Sequence, residues 1–155
     1  MPVVIRRAMP QDAPELAQMR WDDSIENGTV ATQPGAEFAA SYNKFVRGAL
    51  ASHNWFIWLA ESDGRIVAHI YVQIVDMVPR PGRFAARWGY VAAVYTVPEQ
   101  RGKGIGSHLL QSVMQWAREE GLESLLLWSN GRSISLYERA GFACNPDVLE
   151  LDLDS

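Results

Sequence analysis

The chain has 155 residues, 48% of them hydrophobic and 21% charged, which suits one domain over residues 1–155 with its own core and excludes a disordered segment. Eighteen acidic against fourteen basic residues leave a formal charge of −4, so there is no electrostatic reason to bind nucleic acid or an anionic membrane surface. A lone cysteine, Cys144, excludes an internal disulfide, no apolar run approaches the roughly 20 residues of a membrane span, and "MPVVIRRAMPQD" lacks a signal-peptide core; a soluble protein in a reducing, cytoplasmic setting is expected.

"VVIRRA" reads as a first strand, and "DAPELAQMRWDD" as a helix capped by Asp12 with Pro14 in its first turn. "SIENGTVATQPGAE" carries Asn27-Gly28 and Pro34-Gly35 and reads as a loop. A second helix follows over "AEFAASYNKFVRGALA", with Phe38, Tyr42, Phe45, Val46 and Leu50 at helical spacing. "WFIWLAES", Asp63-Gly64 and "RIVAHIYVQIVDMV" form a hairpin, and after the loop "PRPGRFAAR" the run "WGYVAAVYTV" is another strand, ending at Pro98. From Ser107 to Glu120 an apolar stripe of Leu109, Leu110, Val113, Met114 and Ala117 marks an amphipathic helix stopped by Gly121. "ESLLLWS" is a short buried strand, "NGRSISLYERAGF" a helix capped by Asn130 or Ser129 with Gly141 past its end, and "ACNPDVLELDL" alternates into a terminal strand. The order βααβββαβαβ describes an α/β fold with a mixed sheet and helices on it.

"VPEQRGKGIG" joins a strand to a helix through Gly102, Gly104 and Gly106. Bare backbone, the unpaired N–H groups of a helix start through Ile105 to Ser107, and the cations Arg101 and Lys103 together suit a phosphate. A tight strand-to-helix connection is the plain alternative. Lys103 is followed by Gly104 where a Walker loop needs Ser or Thr, which excludes ATP and GTP. A dinucleotide fingerprint from Gly102 meets Ser107 at its third glycine, and one from Gly104 meets Leu109, so NAD is the runner-up.

The same segment resembles the R-x-x-G-x-G element of the GNAT superfamily of acetyl-CoA-dependent N-acetyltransferases, with Arg101, Gly104 and Gly106 in register. "NGRSISLYERAGF" is similar to that family's downstream signature at Asn130, Ser133, Leu136, Tyr137, Gly141 and Phe142. The motif-level resemblance covers about residues 88 to 142. It implies a mostly antiparallel sheet with helices on both faces, splayed between the fourth and fifth strands, with acetyl-CoA as co-substrate in the gap. Tyr95, Thr96 and Val97 would pair with the pantetheine arm through their main chain, and Val97 N–H or a neighbour would polarise the thioester carbonyl. Tyr137 would protonate the departing thiolate, its plain alternative being a packed helix residue. Asn130 would cap its helix and reach the cofactor, with Ser133 beside it.

No carboxylate stands in "WGYVAAVYTV" or after Glu123 in the next strand, so the general base is unassigned; Tyr90, Glu61 and His69 are the candidates for a relay through water. Cys144 reads as a small apolar filler, and His53, His69 and His108 show no metal-ligand grouping. The acceptor side would comprise Trp21 to Glu37, acidic through Asp22, Asp23, Glu26 and Glu37, and Pro79 to Trp88, basic through Arg80, Arg83 and Arg87. An amine that also carries a carboxylate would satisfy both. The expected function is acetylation of a primary amine of a small molecule by direct attack in a ternary complex. The alternatives are a peptide or protein amine and a non-catalytic acyl-CoA-binding regulatory module. The terminal strand would pair across a homodimer edge if left uncovered.

Overall fold

A computed structural model describes residues 2–154. Five strands lie in sequence order across one sheet: β1 (Val4–Arg7), β2 (Trp55–Ser62), β3 (Arg65–Asp76), β4 (Arg87–Thr96) and β5 (Ser124–Leu127). The first three pairings are antiparallel, and β4 with β5 is parallel. Helices α1 (Ala13–Glu26) and α2 (Gly35–Ala51) precede β2, α3 (Ile105–Glu119) links β4 to β5, and α4 (Ile134–Ala140) follows β5.

The alternation of strand side chains sorts the core onto two faces. Ile57, Leu59, Ile66 and Tyr71 pack with Leu16, Met19 and Val46 of α1 and α2. Trp58, Ala60, Ile70 and Val72 pack with Leu109, Leu110, Val113 and Trp116 of α3 and with Tyr137 of α4. With helices on both sides, β3 is buried along most of its length. That explains why its sequence reads as a near-continuous apolar run. The Asp63-Gly64 turn closes the β2–β3 hairpin with both residues at positive φ, 54° and 74°.

Three expectations shift. Helix α1 runs on to Glu26, so the acidic residues Asp22, Asp23 and Glu26 are helical; Asp12 precedes it but binds Met9 N and Arg6 instead of capping α1. Helix α4 starts at Ile134, after a turn that Asn130 organises by accepting from Arg132 N and Ser133 N at 3.1 and 3.0 Å. The third concerns "VLELDL", which forms no strand: Leu149, Leu151 and Leu153 are 91%, 80% and 87% exposed. Alternation makes a strand only where an edge and a core face receive it; here Trp128 Nε1 donates to Glu150 Oε2 at 3.2 Å just past β5, but no strand of the sheet pairs with the segment.

Strands β4 and β5 pair only from Trp88↔Ser124 to Val91↔Leu127, and beyond that point they part. Close packing anchors the paired half. A Cβ on Gly89 would stand 2.6 Å from Leu125 Cδ2, 3.1 Å from Leu122 Cδ1 and 3.2 Å from Val72 Cγ1. Gly89→Ala is expected to cost about 1–3 kcal/mol by overpacking, read as a lowered denaturation midpoint at unchanged slope.

Candidate active site

Beyond Val91, β4 carries a bulge: His69 faces Tyr95 and Tyr71 faces Ala92, so Ala93 and Val94 together oppose Ile70. Ala93 sits at φ 51°, a left-handed conformation rare for a residue with a Cβ. Val97 N donates to Val67 O at 2.9 Å, and in the alternating ladder Tyr95 turns the same way while Thr96 turns its main chain outward. Val97 N–H is therefore committed to the sheet and is not free to polarise a carbonyl, which corrects that expectation. The outward main chain belongs to Thr96 and the bulge.

Next comes the glycine turn. Gly104 stands at the N-cap of α3 with φ 79°, a conformation that strains any residue with a Cβ, and the first helical bond is His108 N to Gly104 O. The helix therefore presents its opening N–H groups without intrahelical partners. Arg101 folds back over the Tyr95 ring, 5.5 Å from its centroid, and its Nε donates to the outward Thr96 O at 2.9 Å.

Between this turn and α4 lies a cavity of about 370 Å³. It is lined by Tyr95, Thr96, Arg101, Gly102, Gly104, Ile105, Gly106, Ser107, Asn130 and Ser133 of the expected set. Val97 and Lys103 are not among its lining; Lys103 donates to Gln100 Oε1 at 3.2 Å instead. Tyr137 lines an adjoining cavity of about 310 Å³ where β4 and β5 part, and the two spaces share Asp23, Val94, Asn130 and Ser133. Tyr137 is 6% exposed. Burial pushes its pKa up, with Ser133 pulling the other way, so the phenol holds its proton at neutral pH.

The sequence did not mark Arg132 or the role of Glu26. The Glu26 carboxylate accepts from Arg101 Nη2 at 2.7 Å and from Arg132 Nη1 at 3.0 Å, while Arg132 Nη2 donates to Asn27 Oδ1 at 2.6 Å. Burial works against the Glu26 anion, but the two guanidiniums outweigh it and hold its pKa below the ordinary carboxylate value. A carboxylate thus occupies two forks suited to phosphate oxygens. The signal was present only as a second arginine two residues after Asn130.

The proposed relays separate. Glu61 is bound to Arg6 Nε at 2.6 Å at the β1 side of the sheet, far across the fold from β5, and is excluded as a base. Tyr90 packs edge-on against Trp128 at 5.2 Å. His69 is fully buried between Tyr71 and Tyr95, and neither ring nitrogen has a hydrogen-bond partner of good geometry. The basic acceptor loop is also displaced from the expectation: Arg80 and Arg83 pair with Glu123, Arg87 pairs with Glu120, and none of the three lines either cavity. Cys144 is exposed, which corrects its reading as a filler.

Residues 14–142 match the sequence profile of the acetyltransferase (GNAT) family, and the chain belongs to it. This is the class of enzymes whose co-substrate is acetyl-CoA. The chain is 29% identical over 97 residues to glucosamine 6-phosphate N-acetyltransferase of Trypanosoma brucei brucei, covering 63% of this chain and 64% of that protein. It is 42% identical over 53 residues to L-methionine sulfoximine/L-methionine sulfone acetyltransferase of Pseudomonas aeruginosa, 32% of this chain and 31% of that one. The matches thus span less than two thirds of these relatives' lengths. In fold it is similar to a predicted acetyltransferase with acetyl-CoA from Clostridium acetobutylicum (TM-score 0.84, 24% identity, 98% and 97% of the two chains). Glucosamine-6-phosphate N-acetyltransferase of Arabidopsis thaliana is a further structural neighbour (TM-score 0.76, 18% identity, 99% and 100%).

Burial holds the His69 pKa down at about 4, against about 6.5 in an unfolded chain. The folded state therefore binds fewer protons between those values. Its stability is full above pH 6.5 and falls by about 3 kcal/mol as the pH drops to 4. Chemical denaturation from pH 7 to 4.5 is expected to show this loss, and His69→Leu to flatten it relative to the wild type.

Proposed function

We propose that the protein transfers the acetyl group of acetyl-CoA to a primary amine of a small molecule, in a ternary complex with no acyl-enzyme. The observation that carries this reading is a buried, protonated tyrosine at the point where a parallel strand pair splits, one cavity away from a glycine turn flanked by arginines.

In this reading the pyrophosphate lies against the N–H groups of Gly104 to Ser107 and draws Arg101 and Arg132 away from Glu26. The pantetheine arm runs between the diverged halves of β4 and β5 and takes the place of the missing strand pairing. Thr96 and the Val94 bulge offer outward main-chain groups to it, and an N–H among them stabilises the oxygen of the tetrahedral intermediate. Tyr137 then gives its proton to the departing sulfur. A thiol pKa near 8.5 lies below that of a phenol held high by burial, so the transfer runs with the cleavage of the C–S bond and not before it.

Two observations favour a small acceptor over a peptide or protein. The relatives with curated names act on glucosamine 6-phosphate, mycothiol and methionine sulfoximine or sulfone. The space beside Tyr137 holds about 310 Å³ and is walled by α1, the β4 bulge and Trp128. A non-catalytic acyl-CoA-binding module would have no use for a buried proton donor at the split.

Tyr137→Phe is expected to lower kcat by at least about 100-fold while leaving the KM for acetyl-CoA within about threefold, measured by thiol release. Equal loss in both parameters, or none, would remove Tyr137 from the chemistry.

We also propose a homodimer. Leu149, Leu151 and Leu153 stay exposed on a terminal segment that Trp128 Nε1 holds beside the end of β5 by donating to Glu150 Oε2 at 3.2 Å, and a second copy would cover this apolar row with its own. Sedimentation should find a dimer that Leu151→Asp converts to monomer; a wild-type monomer at micromolar concentration contradicts it.

A further inference from the structure

Strands β4 and β5 bring no carboxylate to the site, but helix α1 does. Asp23, in the last turn of α1, is 8% exposed, yet it lines both adjoining cavities, the one at the glycine turn and the one holding Tyr137. It is the only carboxylate lining either of them among the described residues. Its oxygens accept from Arg20 Nη1 at 3.1 Å and from Asn27 Nδ2 at 2.7 Å. An ionised carboxylate offers about four acceptor sites, so these two bonds fix its orientation and leave capacity toward the cavity.

We propose that Asp23 is the general base for the acceptor amine, receiving the ammonium proton across the cavity from Tyr137; this rests on the acetyltransferase reading above.

The charged and titratable groups around Asp23 come from four directions. Arg20 and Glu26 lie on its own helix, Tyr42 on α2, Tyr95 on β4, and Arg132 and Tyr137 on the turn and helix after β5. Burial raises its pKa above the ordinary carboxylate value, with Arg20 and Arg132 pulling it back and Glu26 adding to the rise. A carboxylate so placed is more basic than one in water, which suits it to take a proton from an ammonium. Glu26 and Asp22, the other acids of this helix end, are exposed and line neither cavity.

The acceptor R–NH3+ gives one proton to Asp23, and the freed lone pair forms the N–C bond while the carbonyl oxygen takes the charge. Collapse of the intermediate breaks the C–S bond, and Tyr137 protonates sulfur. The second proton on the new amide nitrogen restores the phenol, and Asp23 releases its proton to water. One thioester and one ammonium become one amide, one thiol and one proton.

The test compares wild type, Asp23→Asn and Asp23→Glu by thiol release from about pH 6 to 10, which spans the carboxylate and amine ranges. The acceptors are glucosamine 6-phosphate, L-methionine sulfone and a lysine-containing peptide with a free α-amine, and the profile is taken on the one turned over fastest. At pH 7, Asp23→Asn is expected to lower kcat by about 100- to 1,000-fold with acetyl-CoA binding unchanged. Its rate should then climb about tenfold per pH unit and close the gap near the amine's own pKa, where no base is needed. Asp23→Glu should recover part of the loss. A variant profile parallel to the wild type, or a loss confined to acetyl-CoA binding, overturns the assignment of Asp23. Turnover of the peptide alone overturns the small-molecule reading and leaves the Asp23 result to be judged on the peptide.

Discussion

Strands β4 and β5 share four residue pairs, Trp88 with Ser124 through Val91 with Leu127, and the rest of the site follows from where that pairing stops. A parallel pair satisfies main-chain groups on both strands only while they run side by side. Once they diverge, the second half of β4 keeps its bonds to β3 and faces outward with Thr96 and the bulge at Ala93 and Val94. Gly89 lets Leu125 and Leu122 pack onto β4 just before the divergence, so close packing below and open backbone above lie within a few residues of each other.

The ends of three other elements converge on this opening. α3 begins at Gly104 with its N-terminal N–H groups directed there, α4 supplies Tyr137, and α1 brings its acidic last turn to the same place. Charge is neutralised locally before any ligand is considered: Glu26 spans Arg101 and Arg132, two residues 31 positions apart in sequence, and ties the end of α1 to both motifs. A ligand that competes for those guanidiniums also changes what holds α1. In the proposed reading, the cofactor site and the acceptor wall are linked through this one carboxylate.

Much of this was legible in the sequence, because the features concerned are local. Asp63-Gly64, the α3 stripe and the R-x-x-G-x-G turn each declare themselves within a dozen residues, and all lie where they were expected. The failures are of a different kind. Asp23 was visible only as one acid among four; which of them is buried depends on α1 continuing to Glu26 and turning one face toward β4. Arg80, Arg83 and Arg87 suggested a carboxylate site until Glu120 and Glu123 were found to hold them, a pairing set by the end of α3 lying over the start of β4. Val97 had to be moved off the carbonyl because ladder alternation depends on the register past a bulge, and "VLELDL" has the period of a strand but pairs with none of the five in the sheet.

The central claim is that the divided strands and the glycine turn form a seat for acetyl-CoA. It is tested most directly by calorimetric titration of the wild-type protein with acetyl-CoA, with NAD as the comparison. Saturable binding of one acetyl-CoA per chain, with no heat from NAD, is the predicted result. Binding of NAD alone, or of neither, would mean that the turn serves another phosphate or only joins a strand to a helix, and would contradict the account.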